Sequence, residues 1–337
     1  MITIALNGCG RIGKMILRIL CADETLSQQI TIKALNIGPA DPEALAYLIQ
    51  YDSLYGTYPH EVVYKDGKLT IGKQTIQVYT EMDARKLPWK SLGINWVVDA
   101  TGKYTKREMA QHHLDAGAEH VLISAPAHGD DVTIIPGVNS NAFDAKKHSI
   151  VSLGSCTTNA VVPMLKVLQD IFDLESVLLN TVHAYTNSQA LLDVNPSSAN
   201  VRRSRAAALN IVPTTTGALE AVFRVFPELE GKLSGSACRV PVPVVSLADI
   251  TFVAASVVQT KQIISAFDQA AQGALRGILA TTDVPLVSSD FKQNTHSVVV
   301  DHTLVAATGK MGRVFGWYDN EYGYCMRIRD FLVSAAK

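Results

Sequence analysis

Cysteine is sparse here and badly spaced for cross-linking. The five in the chain, Cys9, Cys21, Cys156, Cys238 and Cys325, are odd in number and lie far apart with no CxxC pair. That argues against a disulfide framework and against a zinc or other metal site. An excess of either charge is missing too. The chain sets 30 Lys and Arg against 31 Asp and Glu, a formal net charge of −1, and no basic run offers a footprint to nucleic acid or an anionic membrane. No apolar run approaches the roughly 20 residues that a membrane span needs. The opening "MITIALNGCGRIG" enters a strand pattern at once, without a signal-peptide layout. Low-complexity segments and short-period repeats are absent as well. These exclusions leave the expectation of a globular cytoplasmic protein whose 337 residues suffice for two domains.

What is there begins with alternation. Residues 2–6, "ITIAL", are a short apolar run ending at glycines, as a buried parallel strand would. Ile12, Met15, Ile16, Ile19 and Leu20 then recur on one helical face. "ITIKAL" (30–35) reads as the next strand, and Asp66-Gly67 in "VVYKDGKLTI" marks a hairpin. "INWVVDATG" (94–102), a helical "KREMAQHHLDAGA" (106–118) and "HVLIS" (120–124) continue the pattern. Such β–α–β alternation predicts an α/β doubly wound parallel sheet with helices on both faces. After residue 156 one helix, about 157–170, leads into long strand-like runs: "ESVLLNTVHAY", "CRVPVPVVSLADITFVAASVV" and "THSVVVDHTLVAATGKMGRVFGWY". These predict a second, α+β domain with a mixed or antiparallel sheet. Tyr324, Arg327, Ile328, Phe331 and Leu332 give a terminal helix.

"NGCGRIG" places Gly8, Gly10 and Gly13 as GxGxxG between a strand and a helix. Glycines there permit a tight turn and close approach of a pyrophosphate to the helix N-terminus. The fingerprint then expects an acid at the end of the second strand to hold the ribose hydroxyls. Asn36, Ile37 and Gly38 stand there instead, with Asp41 further along. No Arg or Lys replaces the acid, so NAD and NADP both stay open. In "SLGSCTTNAVVPMLKVL" (152–168) Cys156 falls at the first turn of a helix. It either packs as a small hydrophobe or serves as a thiolate whose pKa is lowered by the helix dipole. A nucleophile needs a base, and of nine histidines His183 in "NTVHAYTNSQ" closes a strand and enters a polar loop. Arg202, Arg203 and Arg205 precede "PTTTG", and Arg239 stands alone in "CRVPVP". They read either as solvated charges or, with the hydroxyls and glycine, as a phosphate cradle.

The motifs in order, "NGCGRIG", "YDSLYGTY", "ATGKYT", "ISAPAHGDDVTIIPGVN", "SCTTN", "VHAYTNSQ", "RRSRAAALNIVPTTTGA", "RVPVPVVS" and "WYDNEYGY", resemble the phosphorylating glyceraldehyde-3-phosphate dehydrogenase family along the whole chain. The resemblance implies a Rossmann-type NAD(P)-binding domain over 1–155, a catalytic domain over 156–318, and a helix in 319–337 that packs back on the first. It implies Cys156 as nucleophile and His183 as base and then acid, with oxidation of D-glyceraldehyde 3-phosphate through a hemithioacetal and a thioester. Inorganic phosphate would sit near Ser155, Thr157, Arg203, Thr216 and Gly217, and the substrate's phosphate near Thr186 and Arg239. Cofactor residues would be Gly8, Gly10, Arg11, Ile12, Gly13, Ser124 and Asn320, the last orienting the nicotinamide carboxamide. A homotetramer is implied, in which the loop of about 185–209 reaches a neighbouring subunit's cofactor site.

Several positions depart from the pattern. The usual acid is absent at Ile37/Gly38, the stretch "LLDVNPSSANVRR" differs, and Met82 replaces a common arginine; all three bear on NAD against NADP. Ala160 replaces a common second cysteine, and Ser188 replaces an aspartate beside the substrate-phosphate pocket. The nearest rival reading is erythrose-4-phosphate dehydrogenase, against which "HAYTNSQ" and "NIVPTTTGA" weigh. Aspartate-semialdehyde dehydrogenase lacks the "SCTTN" and "PTTTGA" context. A non-catalytic nucleotide-binding protein would not need Cys156, His183, Arg203, Arg239 and Asn320 together.

Overall fold

A computed structural model describes residues 1–196 and 200–336. It divides into two compact units, Met1–Gly154 with Cys325 onward, and Ser155–Tyr324.

The first unit is built on a sheet ordered, from one edge, Val132–Thr133, Ile150–Ser152, His120–Ile123, Trp96–Asp99, Ile2–Asn7, Ile30–Asn36, Gln74–Tyr79, Lys68–Ile71 and Val62–Lys65. The first seven run parallel and the last two pair antiparallel. From the central strand Ile2–Asn7 the sheet extends one way through Ile30–Asn36 and the other through Trp96–Asp99. Right-handed crossovers taken in opposite directions put their helices on opposite faces, the doubly wound Rossmann arrangement. Its central strands are apolar because both faces are covered. Ala5, Ala34 and Val97 pack with Trp89 and Ile94, and Val121, Ile123 and Ile150 with Ala110. Asp66 and Gly67 take positive φ, 50° and 76°, as a two-residue hairpin between right-twisted strands requires. The helix Arg11–Ala22 buries Met15, Ile16, Ile19 and Leu20.

The second unit holds a mixed sheet ordered Val212–Thr214, Leu233–Val240, Leu174–Ala184, Ser246–Ala254, Met311–Tyr318, Val298–Asp301 and Leu279–Thr282. Leu174–Ala184 runs parallel to Leu233–Val240 and antiparallel to Ser246–Ala254. Two strand-like runs of the sequence are interrupted in the structure. "CRVPVPVVSLADITFVAASVV" breaks between Val240 and Ser246, because Pro241 and Pro243 have no N–H for a ladder and Val245 turns to a φ of 68°. The run from Thr295 breaks where Asp301 caps the turn His302–Leu304. The helix Cys156–Ile171 lies close on this sheet. A Cβ on Gly316 would come within 2.7 Å of Met164 Sδ, so the strand is bare where the helix crosses it. Two further helices, Ala218–Val225 and Thr260–Gln272, complete the unit. Among the described residues no helix is long and apolar enough to cross a membrane.

Candidate active site

The helix Cys156–Ile171 starts where its sequence can satisfy its own first amides. Ser155 is the N-cap; its hydroxyl accepts the Thr158 N–H at 3.0 Å while Thr158 Oγ1 accepts the Ser155 N–H at 3.2 Å. This reciprocal capping box fixes the entry angle of the chain and so the direction of the next side chain, Cys156. Across from it, His183 is the penultimate residue of strand Leu174–Ala184, and the parallel register sets it beside Arg239. Neighbours in register share a sheet face, which explains how residues 56 apart in sequence meet at one point.

The thiol, the imidazole and the guanidinium form a connected row. Cys156 Sγ lies 3.6 Å from His183 Nε2. His183 Nδ1 lies 2.7 Å from the Ala184 carbonyl oxygen and 2.7 Å from Arg239 Nη1. Burial, and then the charges of Arg239 and Arg203, pull the His183 pKa down to about 3, against the opposing pull of the Ala184 carbonyl. Desolvation pushes the Cys156 thiol above its ordinary value; the Arg239 charge and hydrogen bonding by Thr157 only partly offset it. This corrects the expectation of a thiolate lowered by the helix dipole. The half-buried sulfur loses more hydration than a helix end and one guanidinium return, so burial works against the thiolate here.

Two residues of this cluster gave no signal in the sequence. Tyr318 ends strand Met311–Tyr318; its hydroxyl is 2.9 Å from Thr157 Oγ1 and its ring stands edge-on to His183 at 6.0 Å. Ser246 accepts the Ala184 N–H at 3.1 Å and donates to Asn320 Oδ1 at 3.2 Å, linking Asn320 to the residue after His183. Both depend on strand register, which local pattern does not reveal.

The arginine-rich segment reaches the "TTTG" turn. Arg203 donates through Nε to Thr214 Oγ1 at 3.0 Å, which also accepts from Asn200 Nδ2 at 2.6 Å. Thr216 caps the following helix by accepting the Ala218 N–H, and a Cβ on Gly217 would meet nothing within 4 Å. Thr186 Oγ1 is 2.9 Å from Ser188 Oγ, so serine at 188 pairs with that threonine by a neutral contact. Ser197, Ser198 and Ala199 of "LLDVNPSSANVRR" lie outside the described residues.

In the first unit the glycine turn is closed by contact. A Cβ on Gly13 would stand 2.2 Å from the Gly8 carbonyl oxygen, Gly8 has a φ of 95°, and a Cβ on Gly10 would meet nothing within 4 Å. No side chain caps the helix that follows. A helix start without a side-chain cap beside a bare Gly10 suits a pyrophosphate, so the turn fits a dinucleotide. The Arg11 side chain is committed to Asp52. Ser124, at the end of strand His120–Ile123, donates its N–H to the Asp99 carbonyl at 3.0 Å.

Comparison with known proteins matches residues 155–320 to the family described as "Glyceraldehyde 3-phosphate dehydrogenase, C-terminal domain" and residues 2–107 to the corresponding "NAD binding domain". The chain is 42% identical to "Glyceraldehyde-3-phosphate dehydrogenase 2" of Bacillus subtilis (strain 168), covering 99% of this chain and 97% of that protein. It is 42% identical to "Glyceraldehyde-3-phosphate dehydrogenase" of Geobacillus stearothermophilus over 99% and 98%, and 43% identical to that of Kitasatospora aureofaciens over 98% of each. The chain belongs to the glyceraldehyde-3-phosphate dehydrogenase family. Its first unit is therefore an NAD(P)-binding domain, and the glycine turn is that domain's opening loop. The end of the second strand carries no acid. Asn36 Nδ2 donates to Asn7 Oδ1 and to the Glu81 carbonyl, Gly38 takes a φ of 60°, and a Cβ there would approach only Met82 Sδ, at 3.6 Å. The nearby carboxylates are committed locally, Asp41 to the Glu43 N–H and Glu81 to the N–H groups of Met82 and Asp83.

Proposed function

We propose that this protein is a phosphorylating glyceraldehyde-3-phosphate dehydrogenase, oxidising D-glyceraldehyde 3-phosphate with NAD(P)+ and inorganic phosphate to 1,3-bisphosphoglycerate. The observation that carries the reading is Cys156 Sγ at 3.6 Å from His183 Nε2 with Arg239 on the ring's other nitrogen. The sulfur attacks the aldehyde carbon, its proton passing to His183 and on to the new oxygen, and a hemithioacetal forms on Cys156. When bound, the nicotinamide supplies the hydride acceptor. As the hydride leaves, His183 takes the hydroxyl proton, so the thioester forms without a free alkoxide. The Cys156 N–H and the imidazolium meet the charge developing on oxygen. Phosphate then attacks the thioester and His183 returns a proton to the departing sulfur.

Ser155, Thr157, Arg203, Thr216 and Gly217 would hold the attacking phosphate, and Arg239 and Thr186 the phosphate already on the substrate; the convergence of Arg203 on the 214–217 turn supports the first set. Asn320 would orient the carboxamide through its bond to Ser246. The absence of an acid at Ile37/Gly38 supports use of NADP alongside NAD, since a 2′-phosphate there meets no carboxylate. Five free thiols agree with a cytoplasmic location, and the exposed apolar side chains of residues 191–211 support a homotetramer.

Steady-state rates with D-glyceraldehyde 3-phosphate and erythrose 4-phosphate, with and without phosphate and with each cofactor, test the reading. Strong phosphate dependence with the triose is expected; a preference for the tetrose would replace the assignment. NAD preferred over NADP by more than about a thousandfold, roughly 4 kcal/mol, would defeat the dual-cofactor reading. Cys156→Ser should abolish oxidation with cofactor binding intact, and His183→Asn should slow it by roughly 10²–10⁴-fold.

A further inference from the structure

Three polar residues stand side by side where the doubly wound sheet opens at its strand ends. Asn7, Asn36 and Asp99 close three adjacent parallel strands, Asn7 in register with Asn36 on one side and with Asp99 on the other, and all three are buried. There the strand order reverses, which is where such a sheet binds a dinucleotide. The hydrogen bonds among them have a fixed direction. Asn36 Oδ1 accepts the Glu81 N–H at 3.0 Å and Asn36 Nδ2 donates to the Glu81 carbonyl at 2.9 Å. Asn36 Nδ2 also donates to Asn7 Oδ1 at 2.8 Å, which leaves Asn7 Nδ2 to donate to Asp99 Oδ2 at 2.7 Å. From the other side comes His113, on the helix Arg107–Asp115 and 0% exposed. Trp89 Nε1 only donates and lies 3.1 Å from His113 Nδ1, so Nδ1 accepts and the ring proton is on Nε2. Nε2 is 3.4 Å from Asp99 Oδ2 and 3.2 Å from Asn7 Nδ2; both nitrogens donate, and both converge on that one oxygen. Asp99 Oδ1 accepts the Thr101 N–H at 3.1 Å and the Thr101 hydroxyl at 2.8 Å. Thr101 in turn backs the glycine turn, since a Cβ on Gly8 would stand 2.7 Å from its Cγ2.

We propose that His113 is a positioning residue for the cofactor, fixing through Asp99 the spacing between the glycine turn and the corner made by Asn36 and Glu81. This rests on reading the glycine turn as part of the cofactor site. A fully buried imidazole touches no ligand, so its effect passes through the carboxylate it holds. Asp99 meets neutral donors, two at each oxygen, and a buried carboxylate costs most when a lone pair is left without one. Without the His113 N–H, Oδ2 is held by Asn7 alone, and the carboxylate turns to recover a donor, taking Asn7 or Thr101 with it. A shift of Asn7 moves Asn36 and the Glu81 backbone; a shift of Thr101 moves the wall behind Gly8. The backbone ties the same parts together, the Gly8 N–H donating to the Asn36 carbonyl at 2.8 Å and the Ala100 N–H to the Asn7 carbonyl at 2.7 Å. Buried polar groups add little stability over apolar ones of the same volume. What these add is one defined spacing at the mouth of the sheet.

Glutamine and asparagine at 113 separate the two ring nitrogens. A glutamine amide reaches the place of Nε2 and can donate to Asp99; an asparagine amide reaches only the place of Nδ1 and can accept from Trp89. Binding of NAD and of ADP-ribose to the intact protein is measured by calorimetric titration, with steady-state rates alongside. His113→Gln should bind both within about twofold of the wild type, and His113→Asn about tenfold more weakly, with KM for NAD raised and kcat at saturating NAD unchanged. A merely structural role says otherwise: each variant loses one buried hydrogen bond, so both would unfold at lower urea and bind alike. Equal affinities in the two variants, or a kcat that falls with KM unchanged, overturn the proposal. Should the variants fail to fold, hydrogen exchange in the wild type gives the answer. ADP-ribose should slow exchange in the helix Arg107–Asp115 severalfold more than in the hairpin of residues 62–71, and equal slowing overturns the proposal. Should Gly10→Ala bind NAD as the wild type does, the cofactor-site reading fails instead.

Discussion

At the scale of single residues, His183 shows how a site sets stability against charge. Its imidazole is 4% exposed and its pKa is near 3 against an ordinary 6.5. Between those values the unfolded chain binds a proton at this position that the native chain refuses, so unfolding is favoured as pH falls through that window. Above 6.5 both states are neutral and the contribution is flat. The slope per group is roughly 1 kcal/mol per pH unit. His183→Asn should therefore lose stability more slowly than the wild type between pH 6.5 and 4, read as urea midpoints; parallel curves for the two proteins would refute the buried-neutral assignment. The same residue marks what sequence can reveal of a site. Cys156 is legible because a small polar cap precedes a helical run, and His183 because a strand ends in a polar loop. Tyr318, Ser246 and the place of Arg239 beside Nδ1 are not legible, since each depends on which strands are neighbours and in what register. The upward push on the Cys156 thiol is not legible for a related reason. A helix N-terminus can be read locally, whereas desolvation by the rest of the fold cannot.

At the scale of elements, the opening glycine turn separates two duties that one motif hides. Gly13 is needed by the fold, because its Cβ would fall 2.2 Å from the Gly8 carbonyl oxygen. Gly13→Ala should destabilise by roughly 1–3 kcal/mol, more than the gain of about 1 kcal/mol from replacing a helical glycine by alanine. Gly10 is not needed by the fold: its φ of −74° suits any residue and a Cβ there meets nothing. Gly10→Ala should unfold with the wild type to within about 0.5 kcal/mol yet bind NAD about tenfold more weakly, by calorimetric titration. Wild-type affinity in that variant would remove the turn from the cofactor site. Much of the architecture was readable at this scale: the first strand and helix, the Asp66-Gly67 hairpin and the cysteine helix all follow from period and turn chemistry. The break at Pro241 and Pro243 is legible too, since proline outweighs apolar continuity in a strand. The helix Thr260–Gln272 is harder, because it buries Ile263 and Phe267 among alanines and glutamines and so presents a weak face.

At the scale of the whole molecule, the segment leading into the "TTTG" turn is the place where one chain looks incomplete. Leu191, Leu192, Leu209 and Ile211 are 82%, 70%, 78% and 69% exposed, with Val194 and Val201 more than half exposed. Isolated apolar residues on a surface need no explanation, but several on one short segment mark an interaction surface. Arg203, which the segment carries to Thr214, ties the placement of that surface to the proposed phosphate site. Covering it with a second copy would bury those leucines and hold Arg203 in place at once, so association and turnover should fall together. Leu192→Glu combined with Leu209→Glu puts charge into the surface without touching Cys156, His183 or either arginine. The variant should sediment as smaller species than the wild type, with unchanged far-ultraviolet circular dichroism and a midpoint of thermal unfolding that no longer rises with protein concentration as the wild type's does. Its KM for phosphate should rise before its kcat falls, because Arg203 loosens while the thiol–imidazole pair does not. A wild-type protein sedimenting at the mass of one chain, or a variant assembling as the wild type does, would show that these side chains face water and that the anion site is complete in a single copy.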